Sequence, residues 1–384
     1  MSLTASQSTN LPKLCFVAHF AYGAMARDGS GHIGGVEHQV TMMARWFVSQ
    51  GYSVSLITWD EGYDNNTVIE GVRLIKLCAR SAGLPGLRFF TPRWTSLVRA
   101  LAQADADIYY HNCAEYVTGQ VAHWCQRHGK RFVYSVASDP DCDPALPTLT
   151  SWRERKLYRY GLQHADKVIV QTGSQQQALK SGFNVDADVI GMPCTGISGD
   201  EFEKTVQLRR DKPFRVIWVG RMDPVKRPEF YLRVAEKLPE IQFDLIGGYD
   251  QDAEYAQSIL SQAKILTNVA VHGRVNREHI GKFYADGAAL CCTSTIEGFP
   301  NTFLEAWSYG LPIISTVDPD NLLSTKSLGV FVNDEQSTVK AIEQLANDDE
   351  LRLSYTHRCR DYYLQHHQLD KVMGQFAKAF VGEV

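Results

Sequence analysis

The stretch Cys291–Pro312, CCTSTIEGFPNTFLEAWSYGLP, constrains the fold more than any other part of the chain. An apolar run, Ala288–Thr293, leads into it and reads as a buried strand. The turn residues Glu297-Gly298-Phe299-Pro300-Asn301 follow, and then a helix that Gly310 and Pro312 stop. Strand, polar loop and helix start, in that order, are the unit from which open α/β sheets are built and at which they bind anions. Two carboxylates fall at this junction, Glu297 in the loop and Glu305 one turn into the helix. Thr302 and Glu305 have the spacing of a capping box, which would account for Glu305 without any ligand. Glu297, beside Gly and Pro at a strand's end, has no comparable folding task.

The rest of the chain repeats the unit. Lys13–His19 reads as a strand, Phe20–Gly35 as a loop holding Gly23, Gly29, Gly31, Gly34, Gly35 and His32, and Val36 starts a helix. Val36, Val40, Met43, Ala44, Phe47 and Val48 share one face of that helix. Strands are expected at Tyr52–Trp59, Val72–Leu77, Ile108–His111, Arg131–Val136 and Lys167–Gln171, with a helix over Tyr116–His128. Repeated turns at Gly191–Gly196 and a charged segment, Asp200–Lys212, mark a boundary. A second series follows: strands Arg215–Gly220, Gln242–Gly247, Asn268–His272, Pro312–Thr316 and Gly329–Val332, with a helix over about residues 277–285. Charged helices run from Ser337, and the chain closes on Met373–Phe380. Strands separated by helices imply parallel, doubly wound sheets, and 384 residues suffice for two domains. The domains expected are 1–197 and 198–364, with a closing helical segment at 365–384.

Several side chains stand where such sheets bind ligands. Arg221 and Lys226, at the outlet of the strand Arg215–Gly220, supply fixed positive charge for an anionic ligand; two surface cations are the plain alternative. Gly34-Gly35 at a helix start aims backbone N–H groups at an anion, or is only a turn. His111, in the loop His111–Glu115, and Asp139, in Ser138–Asp141, follow strands of the first series on the side where such sheets bind ligands; surface turns would explain both. Two basic, aromatic stretches, Arg88–Trp94 and Trp152–Arg159, could rest on an anionic membrane or be solvated faces with buried stems.

The two glutamates within EGFPNTFLEAWSYGLP resemble the signature of family-four retaining glycosyltransferases, the glycosyl transferases group 1. Gly34-Gly35-Val36-Glu37 and Gly220-Arg221 with Lys226 match the same family. The resemblance implies an α/β GT-B fold: two Rossmann-like doubly wound domains facing across a cleft, with the last helix crossing back onto the first. It implies that Glu297 touches the donor sugar, Glu305 the ribose, and Arg221 and Lys226 the phosphates. Gly34, Gly35, Val275, Gly298, Phe299, Pro300, Asn301 and Thr302 would complete the donor site. Many members carry a His where this chain has Ala137, so His111 or Asp139 would take over contact with the sugar. The implied activity is transfer of a sugar, with retention, from a nucleotide-diphospho-sugar to a glycan, lipid-linked or small-molecule acceptor. A nucleotide-sugar epimerase, a phosphorylase or a non-catalytic nucleotide-sugar-binding subunit on the same fold are the alternatives.

The remaining features exclude more than they assign. A net charge of −4 argues against a nucleic-acid partner. The lack of G-x-G-x-x-G argues against a dinucleotide enzyme. No cofactor and no metal is expected, because protein cations do the neutralising; Asp139-Pro140-Asp141 has the shape of a metal motif but lies in the acceptor domain. Nine scattered cysteines read as buried thiols. With a polar N-terminus and no apolar run of the roughly 18 residues that span a bilayer, the expected location is the cytoplasm, with contact at the inner face of the membrane as a further option.

Overall fold

The computed structural model describes residues 11–26, 34–249 and 252–382. It forms two compact units. One runs to Ile190 and resumes at Met373; the other is Gly191–Val372.

Among the described residues the first unit is built on eight strands: β1 (Leu14–Val17), β2 (Val54–Thr58), β3 (Val68–Ile69), β4 (Val72–Lys76), β5 (Ile108–Asn112), β6 (Arg131–Ser135), β7 (Lys167–Val170) and β8 (Asp188–Val189). Their order is β3-β4-β2-β1-β5-β6-β7-β8, parallel except for β3 against β4. Central strands such as β1 and β5 are buried at every residue, as expected of a parallel sheet covered on both faces. The chain winds outward from β1 through β2 to β4, then returns to β5 and winds the other way. The switch point therefore lies between β1 and β5. The closing helix, Leu369–Val381, joins this unit from Met373 on. Its Phe380 ring packs 5.1 Å from Phe47 and 5.3 Å from Tyr110.

The second unit has six parallel strands: β9 (Arg215–Val219), β10 (Gln242–Ile246), β11 (Val269–Gly273), β12 (Ala289–Cys292), β13 (Ile313–Ser315) and β14 (Gly329–Phe331). The order β11-β10-β9-β12-β13-β14 puts its switch point between β9 and β12. Residues 191–197 belong here because they are bonded to this unit's late helices. Cys194 donates its N–H to the His367 carbonyl (2.8 Å), and Tyr363 donates its hydroxyl to the Thr195 carbonyl (2.8 Å).

Three local features go beyond the sequence reading. Most of the charged segment Asp200–Lys212 lies in a helix, Gly199–Arg210, started by Ser198, whose hydroxyl accepts the Glu201 N–H at 3.2 Å. Its buried residues, Phe202 and Val206, lie four apart and are masked in sequence by charge. Within the loop expected at Phe20–Gly35, Tyr22–Ala26 is helical, while Gly29, Gly31 and His32 lie outside the described residues. The edge strands β3 and β8, two residues each, carry too little pattern to be read. Among the described residues no helix is long and apolar enough to cross a membrane.

Candidate functional site

In the second unit the loops after β9 and β12 flank the switch point and are bonded to each other. Thr293 joins them: its hydroxyl donates to the Lys226 carbonyl (2.6 Å) and accepts from the Trp218 indole (2.9 Å). Arg227, held at φ 48°, donates its Nε–H back to the Thr293 carbonyl at 2.6 Å. Thr295 donates its N–H to the Val225 carbonyl at 2.9 Å. Gly247 is needed beside them. A Cβ there would sit 1.7 Å from the Gly220 carbonyl oxygen, and its φ is +143°.

On this braced frame the structure brings Lys226 and Glu297 together. The ammonium is ion-paired with the carboxylate, which also accepts the Ser294 hydroxyl at 2.5 Å. Arg221 stays at the surface, about half exposed and 3.4 Å from Asp223. Gly298 is half-buried, and Phe299 is buried with its ring 5.3 Å from that of His367. Pro300 is the N-cap of the helix Asn301–Ser308, which has no side-chain cap. Among the expected donor-site residues, Phe299 and Pro300 thus build the loop, while Asn301 and Thr302 open the helix. Val275, between β11 and the helix Arg277–Asp286, packs half-buried on the core.

The capping-box reading of Glu305 fails. That spacing required Thr302 to stand just before the helix, whereas the helix already starts at Asn301 with Pro300 as its cap. Glu305 instead accepts the Tyr284 hydroxyl (2.7 Å) and is ion-paired with Arg277, both on the neighbouring helix. Its side chain is 13% exposed, so those bonds hold it in one orientation.

In the first unit, Gly34 precedes the helix Gly35–Ser49 and its N–H donates to the Glu37 carboxylate at 3.0 Å. One of the two amides expected to meet an anion thus has an internal acceptor. Asp139 is exposed and accepts from the Gln175 amide at 2.9 Å. Asp141 of the same motif is buried and accepts the Ala137 N–H (3.1 Å) and the Ser138 hydroxyl (3.0 Å), so it closes its own turn. His111 is 2% exposed; its Nδ1 meets the Val17 carbonyl at 2.8 Å, and burial lowers its pKa to about 4.

The sequence reading reaches Glu115 only as the end of the loop His111–Glu115 and gives it no role of its own. Glu115 lines a cavity at the ends of β1, β2, β4 and β5, and burial, helped by Glu37 and Asp141, pushes its carboxyl up to about 7. His19 lines the same cavity with its pKa lowered by burial to about 3, and so stays neutral. Among the described residues, one group has metal-ligand spacing: His111, Cys113 and Glu115, with ligand atoms all within 4.8 Å of one another. These three share one short stretch at the end of β5, whereas only the fold brings it beside the loops after β1, β2 and β4 that line the cavity with it.

Residues 199–361 match the family model for glycosyl transferases group 1, and residues 34–195 match that for a glycosyl transferase 4-like domain. The chain belongs to the group 1 glycosyltransferases. This glycosyltransferase is 24% identical over 321 residues to the D-inositol 3-phosphate glycosyltransferase of Mycobacteroides abscessus, covering 76% of this chain and 71% of the relative. It is 26% identical over 171 residues, 41% of each chain, to an uncharacterized glycosyltransferase of Methanocaldococcus jannaschii. Among solved structures it is similar to sucrose-phosphate synthase from Thermosynechococcus elongatus (18% identity, TM-score 0.76, covering 97% of this chain and 98% of that one). It is also similar to Anabaena HepE in complex with UDP and glucose (17% identity, TM-score 0.75, covering 97% and 100%). The glycosyltransferase has the GT-B fold.

Proposed function

We propose that this enzyme moves a sugar from a nucleotide-diphospho-sugar to an acceptor hydroxyl, with retention at the anomeric carbon and without a metal ion. The observation that carries the reading is the β9/β12 switch point, where Lys226, Glu297, Arg221 and the start of the helix Asn301–Ser308 stand on two cross-bonded loops. Negative charge grows on the diphosphate as the glycosidic bond breaks, and fixed positive charge there lowers the barrier. Lys226 and Arg221 supply two full charges, and the helix start adds partial charge from its amides. Glu297 holds the Lys226 ammonium in an ion pair. A diphosphate competes for that ammonium and releases the Glu297 carboxylate to accept the sugar's hydroxyls. Glu305, fixed by Tyr284 and Arg277, is assigned to the ribose.

The HepE structures with UDP and with UDP-glucose support a uridine nucleotide as the donor. Calorimetric titration with UDP, GDP and ADP tests this reading. Saturable binding of one of them, weakened by Lys226→Ala, is expected; no binding of any overturns it. The anomeric configuration of the product by NMR decides retention.

A further inference from the structure

The cavity in the first unit has a volume of about 960 Å³ and opens where β1, β2, β4 and β5 end. Three arginines line it: Arg80, Arg88 and Arg93. Two of the carboxylates that share the lining are engaged elsewhere. Asp60 pairs with Lys76 (3.3 Å) and Glu154 accepts the Ser151 N–H (3.0 Å), while Glu115 stays in the lining, 3.9 Å from His19. Among the described residues none of the three arginines is ion-paired with a carboxylate. Two are nevertheless held in place. Arg93 donates to the Arg80 carbonyl (2.9 Å) and lies over the Trp59 ring (5.7 Å), and Arg80 lies over Phe20 (5.0 Å). The second basic stretch behaves differently. Arg153 stacks on Phe89 (3.8 Å), Arg155 donates to the Leu149 carbonyl (2.9 Å) and Lys156 lies over Trp152 (5.2 Å), so its cations serve the fold.

We propose that this cavity binds the phosphate of a phosphate-bearing acceptor, gripped by Arg80, Arg88 and Arg93. Guanidinium groups present paired N–H donors that match phosphate oxygens, and an uncharged glycan would give none of the three arginines a charged partner. That the bound molecule is an acceptor rests on the glycosyltransferase reading; the anion site itself stands on the first unit alone. Leu84, Leu87 and Phe90 on the same segment are exposed, which favours a phosphate carried by a lipid over a free one.

The test uses the full chain with UDP at saturation, so that the donor site is filled. Glycerol 3-phosphate, compared with glycerol, probes a free phosphate by thermal shift. Phosphatidylcholine vesicles with and without phosphatidic acid probe a lipid-borne one by co-sedimentation. The comparison variant is Arg80→Gln with Arg88→Gln, both on exposed positions. Phosphate-dependent binding in either arm, weakened about tenfold or more in the variant, is expected, the scale of lost charged hydrogen bonds. The arm that responds identifies the source. Binding in neither arm, or equal binding by the variant, overturns the proposal. Failure of the wild type to bind UDP would sink the donor reading alone, since the phosphate arms report on the first unit without it.

Discussion

The Lys226 ammonium is ion-paired with the carboxylate of Glu297, 71 residues further along the chain, and the pair closes the loop after β9 onto the loop after β12. The two side chains are 26% and 14% exposed, so each is partly desolvated and depends on the other. Glu297→Gln removes the charge that competes with a diphosphate for Lys226 but also the acceptor for the sugar's hydroxyls. The expected outcome is nucleotide binding retained or tightened, with kcat down by ~10²-fold or more, the scale for lost transition-state interactions. Calorimetry with the nucleotide and steady-state rates on the same preparation check it; unchanged kcat would remove Glu297 from the reaction.

Arg221 and Lys226 act on the same developing charge, so their losses should compound. Arg221→Ala with Lys226→Ala is expected to lower kcat/KM at least ~10²-fold. Arg221 is about half exposed and bonded only weakly to Asp223, so Arg221→Ala alone should leave Tm within about 2 °C of wild type, as surface changes do. Near-normal turnover in the double variant would refute a role for these cations.

Glu305 has two duties, and a substitution separates them. Glu305→Ala leaves Arg277 without its partner and the Tyr284 hydroxyl without its acceptor. Losing such buried bonds costs about 1–3 kcal/mol, or several degrees in Tm for a unit of this size. Glu305→Gln keeps the Tyr284 bond and should recover part of the Tm while KM for the donor stays raised. Donor KM returning to normal along with Tm would assign Glu305 to the fold alone.

His367 gives unit two a pH dependence of definite sign. It is buried, its Nδ1 meets the Met192 carbonyl at 3.0 Å, and burial lowers its pKa from 6.5 to about 4. The unfolded chain therefore binds a proton that the folded one resists. The stability is fully present above pH 6.5 and is lost as pH falls toward 4, with a slope of at most about 1.4 kcal/mol per pH unit for one proton. His19 and His111 act in the same direction in unit one. Urea titrations at pH 7 and pH 5 should show a smaller drop for His367→Gln than for wild type; an equal drop would mean that the ring is protonated in the folded state.

The sheet framework was legible because buried parallel strands read as unbroken apolar runs: of the fourteen strands among the described residues, twelve fall within a run read from the sequence or overlap it by all but a residue. The Lys226–Glu297 pair was legible only as two separate candidates, since sequence spacing does not put β9 beside β12. Glu305 was ambiguous for the same reason. Its partners lie 21 and 28 residues away, on a helix whose packing no local pattern encodes. The cavity in the first unit was least legible of all. It is assembled from loops after four strands, and its Glu115 looks like any surface carboxylate until burial raises it.

Metal removal tests the electrostatics of the proposed reaction directly. If Lys226 and Arg221 neutralise the diphosphate, turnover should survive dialysis against EDTA, because no divalent ion is asked to bridge phosphate oxygens. The one group with metal-ligand spacing among the described residues, His111 with Cys113 and Glu115, is in the first unit, whereas Lys226 and Glu297 are in the second. The two possibilities therefore part in the rescue. Activity lost to EDTA and restored by Mg²⁺ would count against protein cations at the diphosphate, since oxygen ligands and phosphates are what Mg²⁺ prefers. Activity restored only by Zn²⁺, and not in Cys113→Ser, would point instead to the mixed nitrogen, sulfur and oxygen donors of His111, Cys113 and Glu115.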